Sequence, residues 1–218
     1  YNALSLYSKV GYRRNNWTGG NMESDRFLDR DRIMDANTGM AHRQSHTTFQ
    51  LGSVYDINDK QSVGAEFNMT ENPYHNNTDG TALAIENGNS LTSQSLSRST
   101  TDYSLMSFTA NYSLKLDTLG STLKLLADYT RRETETGNDN FSRITSPTTA
   151  VDSTYRDNSS SLYDITTATL ALDKKFSPRW SLRAGVKFTY NDMHNDALYE
   201  YVKDGAWVCN DNQSFTIN

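Results

Sequence analysis

Cysteine is nearly absent from this chain: Cys209 stands alone among 218 residues, so no internal disulfide can form. Proline occurs three times. No run of about 18 apolar residues exists, which excludes a transmembrane helix. Transmembrane β-strands remain open, since each needs only about 9–11 residues with alternate positions apolar. Positive charge is not in excess either. The net charge is −5, which argues against a nucleic-acid partner. Apolar residues make up 35% of the chain, where a compact soluble domain carries roughly 45–50%. The sequence opens at Tyr1 without a Met or a secretory leader and stops at Asn218 in mid-pattern. Processing or truncation is therefore expected to have removed flanking sequence.

What is present points to strands. Aromatic residues make up 11%, with 13 Tyr, which is unlike a disordered chain. Seven segments alternate with period two: Leu4–Arg13, Thr47–Ile57, Ser62–Met69, Met106–Leu116, Leu123–Thr130, Thr167–Asp173 and Trp180–Tyr190. In the fourth, Met106, Phe108, Ala110, Tyr112, Leu114 and Leu116 alternate with Ser107, Thr109, Asn111, Ser113 and Lys115. Successive side chains of an extended strand face opposite sides, so each segment has one apolar and one polar face. On a helix the same spacing would scatter the apolar groups all around.

The connections alternate short and long. Asp56–Gln61, Asp117–Ser121 and Phe176–Arg179 are tight and carry the turn formers Asn58-Asp59, Gly120 and Ser177-Pro178. Between them lie long polar stretches at 14–45, 71–102, 132–162 and 191–213, read as loops. Loops of that length are uncommon in compact soluble domains, whereas outer-membrane barrels pair short periplasmic turns with long extracellular loops. The first, third, fifth and seventh segments then ascend from the periplasm, and an eighth begins to descend near Gln213. Tyr55, Phe176 and Trp180 lie near the short turns, and Tyr12, Trp17, Tyr103, Tyr129, Tyr163 and Tyr190 near the long loops, as expected of two aromatic girdles. The fold class is all-β: an antiparallel up-and-down meander of seven to eight strands, a segment of a transmembrane β-barrel.

Three pieces carry a family resemblance: Tyr12-Arg13-Arg14-Asn15-Asn16 at a strand end, Tyr163-Asp164 at the start of the sixth segment, and Ser181-Leu182-Arg183-Ala184-Gly185-Val186-Lys187-Phe188-Thr189-Tyr190. With these the sequence resembles the barrel regions of TonB-dependent receptors and related outer-membrane proteins of Bacteroidetes. The resemblance implies a bacterial outer-membrane location and nutrient uptake. It also implies that residues 1–218 are one partial barrel segment, about a third of a wall of roughly 22 strands. Neither a plug-like region nor a coupling box is read in the chain.

Catalytic chemistry finds no foothold, so no enzyme, cofactor or metal is expected. His42 and His46 are four apart but lead into a strand, so no helix aligns them for a metal. The run Arg26, Asp29, Arg30, Asp31, Arg32 and Asp35 lacks the Gly and closing Glu of a calcium loop. There is no Gly-x-Ser-x-Gly elbow and no phosphate loop. The charged polar-face residues Lys9, Glu66, Lys115, Lys124, Asp128, Arg183 and Lys187 are expected to line a barrel interior, in contact with water, a plug or a solute. Expected partners are outer-membrane lipid, a small-molecule or oligosaccharide solute, and a second copy through unpaired strand edges. The rival reading is a soluble all-β binding module with long recognition loops, such as a sandwich burying Phe108, Tyr112, Leu114, Val186 and Phe188 between two sheets.

Overall fold

The computed structural model describes residues 3–29, 32–86, 88–146, 148–177 and 179–217. Ten strands follow in chain order: β1 Ala3–Asp29, β2 Arg32–Asn58, β3 Gln61–Glu71, β4 Tyr74–Glu86, β5 Asn89–Lys115, β6 Thr122–Thr145, β7 Ala150–Ser177, β8 Trp180–Lys203, β9 Ala206–Cys209 and β10 Phe215–Ile217. All belong to one antiparallel sheet in the order β1-β2-β3-β5-β6-β7-β8-β10. β4 lies between β2 and β5, and β9 pairs with β8.

β3 and β4 behave as one ascending strand. Glu71 faces Thr47 and Ser104, and three residues on Tyr74 faces Gln44 and Thr101, so the register passes the Asn72-Pro73 interruption unshifted. Pro73 has no N–H for the ladder. Its carbonyl still accepts from the Ser45 amide at 3.1 Å, and the Asn72 amide donates to Tyr103 at 2.8 Å. Counted this way, seven long strands and the start of an eighth match the meander read from the alternation.

The polar stretches differ from that reading. Residues 14–45, 71–102, 132–162 and 191–213 are mostly strand. β6 and β7 stay paired from Thr122–Asp173 up to Thr145–Ala150. The alternation fades there because neither face is dry, and a wholly wetted strand has no reason to segregate apolar side chains. Pairing with neighbours still satisfies the backbone groups.

No hydrophobic core exists among the described residues. The one fully buried side chain among the described residues is Ser121, and Phe108, Val186 and Phe188 are 48%, 72% and 62% exposed. Among the described residues no second sheet covers them, so the sandwich is overturned. On β5 the apolar side is the more open: Met106 and Phe108 are exposed while Ser107 and Thr109 are half-buried.

Cross-strand rows define a band on the apolar face. One row is Leu51, Phe67, Phe108, Tyr129, Thr166, Tyr190; another is Tyr55, Val63, Tyr112, Leu125, Leu170, Val186. On β8 the band runs from Trp180 to Tyr190, about 33 Å at ~3.3 Å per residue. Its upper edge is set by a charged row, Arg131, Asp164 and Asp192, beside Met106. Tyr12, Tyr129 and Tyr190 stand near that edge, and Tyr55, Phe176 and Trp180 near the lower one. Trp17, Tyr103 and Tyr163, expected in the same girdle, lie on the polar face instead. Their register parity places them with His42, Thr134 and Arg132.

The lower turns are locked together. The Asp117 carboxylate accepts from the amides of Leu119 (3.0 Å) and Ser121 (3.1 Å) and from Lys174 Nζ (2.7 Å). Ser121 Oγ accepts from the Lys175 amide at 2.9 Å, tying the β5–β6 turn to β7. Gly120 permits the tight reversal at φ 89°. The Lys174 ammonium, and after it Ser121, holds the Asp117 carboxyl far below the usual carboxylate range. A depressed value contributes stability that is complete above the unfolded value of ~3.9 and fades as pH falls towards the folded one. Asp117→Asn should therefore lower the thermal midpoint in detergent by a constant margin above pH ~5. That margin should narrow below pH ~4; one that held down to pH 2 would contradict this role.

Candidate functional site

The face opposite the apolar band carries every charged residue expected to line an interior. Register places Lys9 beside Gln50, Asn68, Ser107 and Thr130. Glu66 and Asp128 share the next row down, Lys187 lies one row lower with Asn111 and Thr169, Lys124 follows with Ser113, and Lys115 and Arg183 close the series beside Thr122 and Asp173. All seven sit on one side of the sheet.

The middle row is a polar belt across seven strands: Tyr7, Gly52, Glu66, Thr109, Asp128, Thr167 and Thr189. Tyr7 donates to Glu66 Oε2 at 2.5 Å, although Gly52 stands between them. A Cβ at position 52 would lie 2.2 Å from the Tyr7 ring. Glycine is required because the ring crosses that backbone to reach the carboxylate. Asn68 Nδ2 donates to the other Glu66 oxygen at 2.7 Å. Asp128 is held symmetrically, its two oxygens accepting from Thr109 Oγ1 at 2.9 Å and Thr167 Oγ1 at 3.0 Å.

The belt's carboxylates are thus occupied by wall donors, while most of the cations elsewhere on this face are not. Lys115 reaches the Asp59 carbonyl at 3.1 Å, and Arg183 pairs with Asp173 at 3.1 Å. Lys9, Lys124 and Lys187 have no ion-pair or hydrogen-bond partner among the described residues. Chemically this face offers fixed acceptors that stay on the wall and mobile ammonium groups that reach away from it.

Higher on the same face lies an arrangement the alternation missed. Arg132 stands over the rings of Tyr103 (5.4 Å) and Tyr163 (5.9 Å). Trp17 meets His42 with centroids 5.2 Å apart, His42 meets Tyr74 at 5.9 Å, and Tyr155 stacks on Tyr199 at 5.6 Å. Trp17, His42, Tyr74, Tyr155 and Tyr199 fall in stretches read as loops, and Tyr103 and Tyr163 at their borders, where no facing was assigned; their hint was an excess of Tyr in otherwise polar segments. His42 and His46 share the polar face, but four positions along a strand put their Cα atoms about 13 Å apart, too far for one ion. Of the mixed-charge run, Arg30 and Asp31 lie outside the described residues, and Asp35 is exposed.

Residues 114–218 match the sequence profile of the outer membrane protein beta-barrel family. The match covers just under half of the chain and, with the antiparallel sheet described above, supports a location in the bacterial outer membrane. No curated protein matches the chain. Among solved structures, the siderophore receptor PiuA of Acinetobacter baumannii aligns at 8% identity and a TM-score of 0.19, over 93% of this chain and 47% of that one. The ferric-catecholate import receptor Fiu of E. coli K12 aligns at 8% and 0.17, over 92% and 52%. The toluene transporter TodX of Pseudomonas putida aligns at 11% and 0.16, over 93% and 79%. The chain spans about half the length of the first two, and scores this low carry no weight for fold or function.

Replacing Thr109 and Thr167 together by Val should leave Asp128 without its two donors. The expected cost is about 1 kcal/mol for each hydroxyl, read as a lower urea midpoint of the intact protein in detergent. Equal midpoints would show that water replaces the belt.

Proposed function

We propose that the chain is part of the wall of a larger outer-membrane barrel of the TonB-dependent receptor type, from a Bacteroidetes-like source, whose polar face lines the passage of a nutrient solute. The observation that carries this is the two-sided sheet, without a core among the described residues. One face holds an apolar band one hydrocarbon layer tall, and the other holds a hydrogen-bonded polar belt. A bilayer core is ~30 Å thick, and the band's ~33 Å along β8, on strands tilted by 35–45°, gives about 25 Å of height. Water would leave Leu6, Val10, Val186 and Phe188 exposed at a cost of about 25 cal/mol per Å² of apolar surface; lipid removes that cost.

Partial closure follows from the edges. β1 pairs on one side with β2, and below Asn195 β8 pairs on one side with β7. Unpaired backbone groups at the depth of the band would be untenable in hydrocarbon, so further strands complete the wall. Residues 1–218 form a single segment of it. The role assigned is structural and transport-related rather than enzymatic. The unpaired Lys9, Lys124 and Lys187 favour solutes carrying negative charge, whether a small molecule or an acidic oligosaccharide.

Two measurements test this. Leu170→Arg, in the middle of the band, should block folding into lipid vesicles, at ~2–4 kcal/mol for a cationic side chain near mid-bilayer, while Thr169→Arg, one residue along on the polar face, should fold normally. Equal yields would remove the lipid assignment. In planar bilayers, Lys9→Glu, Lys124→Glu and Lys187→Glu combined should shift ion selectivity of the intact barrel towards cations. An unchanged reversal potential would place those side chains outside the passage.

A further inference from the structure

The apolar face continues upward beyond the band, and its charge there is partitioned. Next to the band, β3, β5 and β6 carry Glu71, Asp102, Glu133 and Glu135 on that side. Higher up, towards β1, the sign reverses. Arg43 lies across from His75, which lies across from Thr100. One row above, Arg98 lies across from Asn77. Arg14 sits one row below Arg43 on the neighbouring strand, across from Ser45. Arg43, His75, Asn77 and Arg98 line an open groove of about 630 Å³, together with Asn16 and Asp139.

The two guanidinium groups in the groove are uncommitted. Arg43 and Arg98 are exposed and have no ion pair among the described residues. Asp139, the carboxylate of the lining, sits between two cations in the register, with Arg98 on one neighbouring strand and Arg156 on the other. Arg156 in turn holds Glu200 at 2.6 Å. Asp139 therefore offsets part of the positive charge without cancelling it. Asn16, Asn77 and Thr100 surround the guanidinium groups with neutral donors and acceptors, the mixture that suits a ligand bearing both anionic groups and hydroxyls.

Height decides which ligand. Arg43 lies six residues above Phe49 on β2, and Arg98 eight above Met106 on β5, about 20 and 26 Å along the strands. With the strands tilted by 35–45°, the groove stands roughly 15–20 Å above the hydrocarbon edge. The headgroup layer of a phospholipid leaflet is only about 5–8 Å deep. A phospholipid phosphate cannot reach the groove, but a membrane lipid with a saccharide headgroup can. The groove is on the membrane side of the wall, so such a lipid arrives by lateral diffusion.

We infer that the Arg43–His75–Arg98 groove binds the anionic saccharide headgroup of an outer-leaflet glycolipid, docking the barrel wall into the sugar layer of its own membrane. This rests on the wall assignment proposed above. Guanidinium forks are matched to phosphate and carboxylate groups bidentately, and the amides and hydroxyls take the sugar hydroxyls.

The test uses the intact protein in detergent and three probes: lipopolysaccharide with its phosphorylated core saccharide, the same lipid stripped of that saccharide, and inorganic phosphate. Binding of the first should weaken about tenfold or more in Arg43→Glu/Arg98→Glu, as expected when two charge-assisted contacts are lost. It should weaken less in Arg43→Gln/Arg98→Gln and remain native in the charge control Lys203→Glu. Binding should also fall with ionic strength. Equal retention of core-bearing and stripped lipid, or equal binding by the Glu variant and the native protein, would overturn the groove assignment. Inorganic phosphate binding as strongly as the core-bearing lipid would reduce the groove to a generic anion site and overturn it too. Vesicle insertion of the same variants separates the two proposals: native insertion with unchanged glycolipid binding defeats the groove alone, and failed insertion of the native protein defeats both.

Discussion

Everything in this molecule hangs on the cross-strand hydrogen-bond ladder. With no hydrophobic core among the described residues, no strand is held by packing against a second layer. Each is held by its neighbours through backbone pairing, and the pairs run for 24 residues between β5 and β6 and again between β6 and β7. Such a ladder is two-dimensional, so its stability depends on what wets each face and what closes each edge. The apolar band, the polar belt and the locked lower turns are three responses to that dependence.

The belt shows how a wet face can still be ordered. Glu66 and Asp128 stand on a surface next to water, yet each is bonded by wall donors: Glu66 by Tyr7 reaching across β2 and by Asn68 of its own strand, Asp128 by a threonine on each neighbouring strand. The donors are neutral hydroxyls and an amide, and those of Tyr7, Thr109 and Thr167 tie strands together. The lysines of the same face are left with freedom to move. Higher on the wall the aromatic and arginine contacts, Arg132 with Tyr103 and Tyr163 and Trp17 with His42, extend the same logic beyond the membrane: side chains brace a sheet that no core supports.

The seven alternating segments were legible because each has one dry side. Lipid or core, the demand is the same, and it writes itself into every second residue from Met106 to Leu116. That Lys9, Glu66, Lys115, Lys124, Asp128, Arg183 and Lys187 share one face was legible for the same reason, since parity within a strand assigns facing. The stretches between were misread as loops because polar residues alternating with polar residues leave no trace, although Ser93, Ser95, Ser97 and Ser99 pair as regularly as Phe108 and Ala110. The Trp17, Tyr103 and Tyr163 rings were placed by their distance from turns, which gives height along the barrel but not side.

The sequence by itself determined the class of structure: alternation, turn chemistry and the lack of any long apolar run leave amphipathic strands as the solution. It also determined which residues share a face, because strand parity is local. Only the tertiary structure decided how rows align across strands, which brings Tyr7 over Gly52 to Glu66 and sets Asp128 between Thr109 and Thr167. Register is a relation between strands far apart in the chain, and no local pattern encodes it. The structure alone also showed that the polar stretches continue the wall and gather Arg43, His75 and Arg98 above the band, since pairing there is fixed by the ladder beneath it.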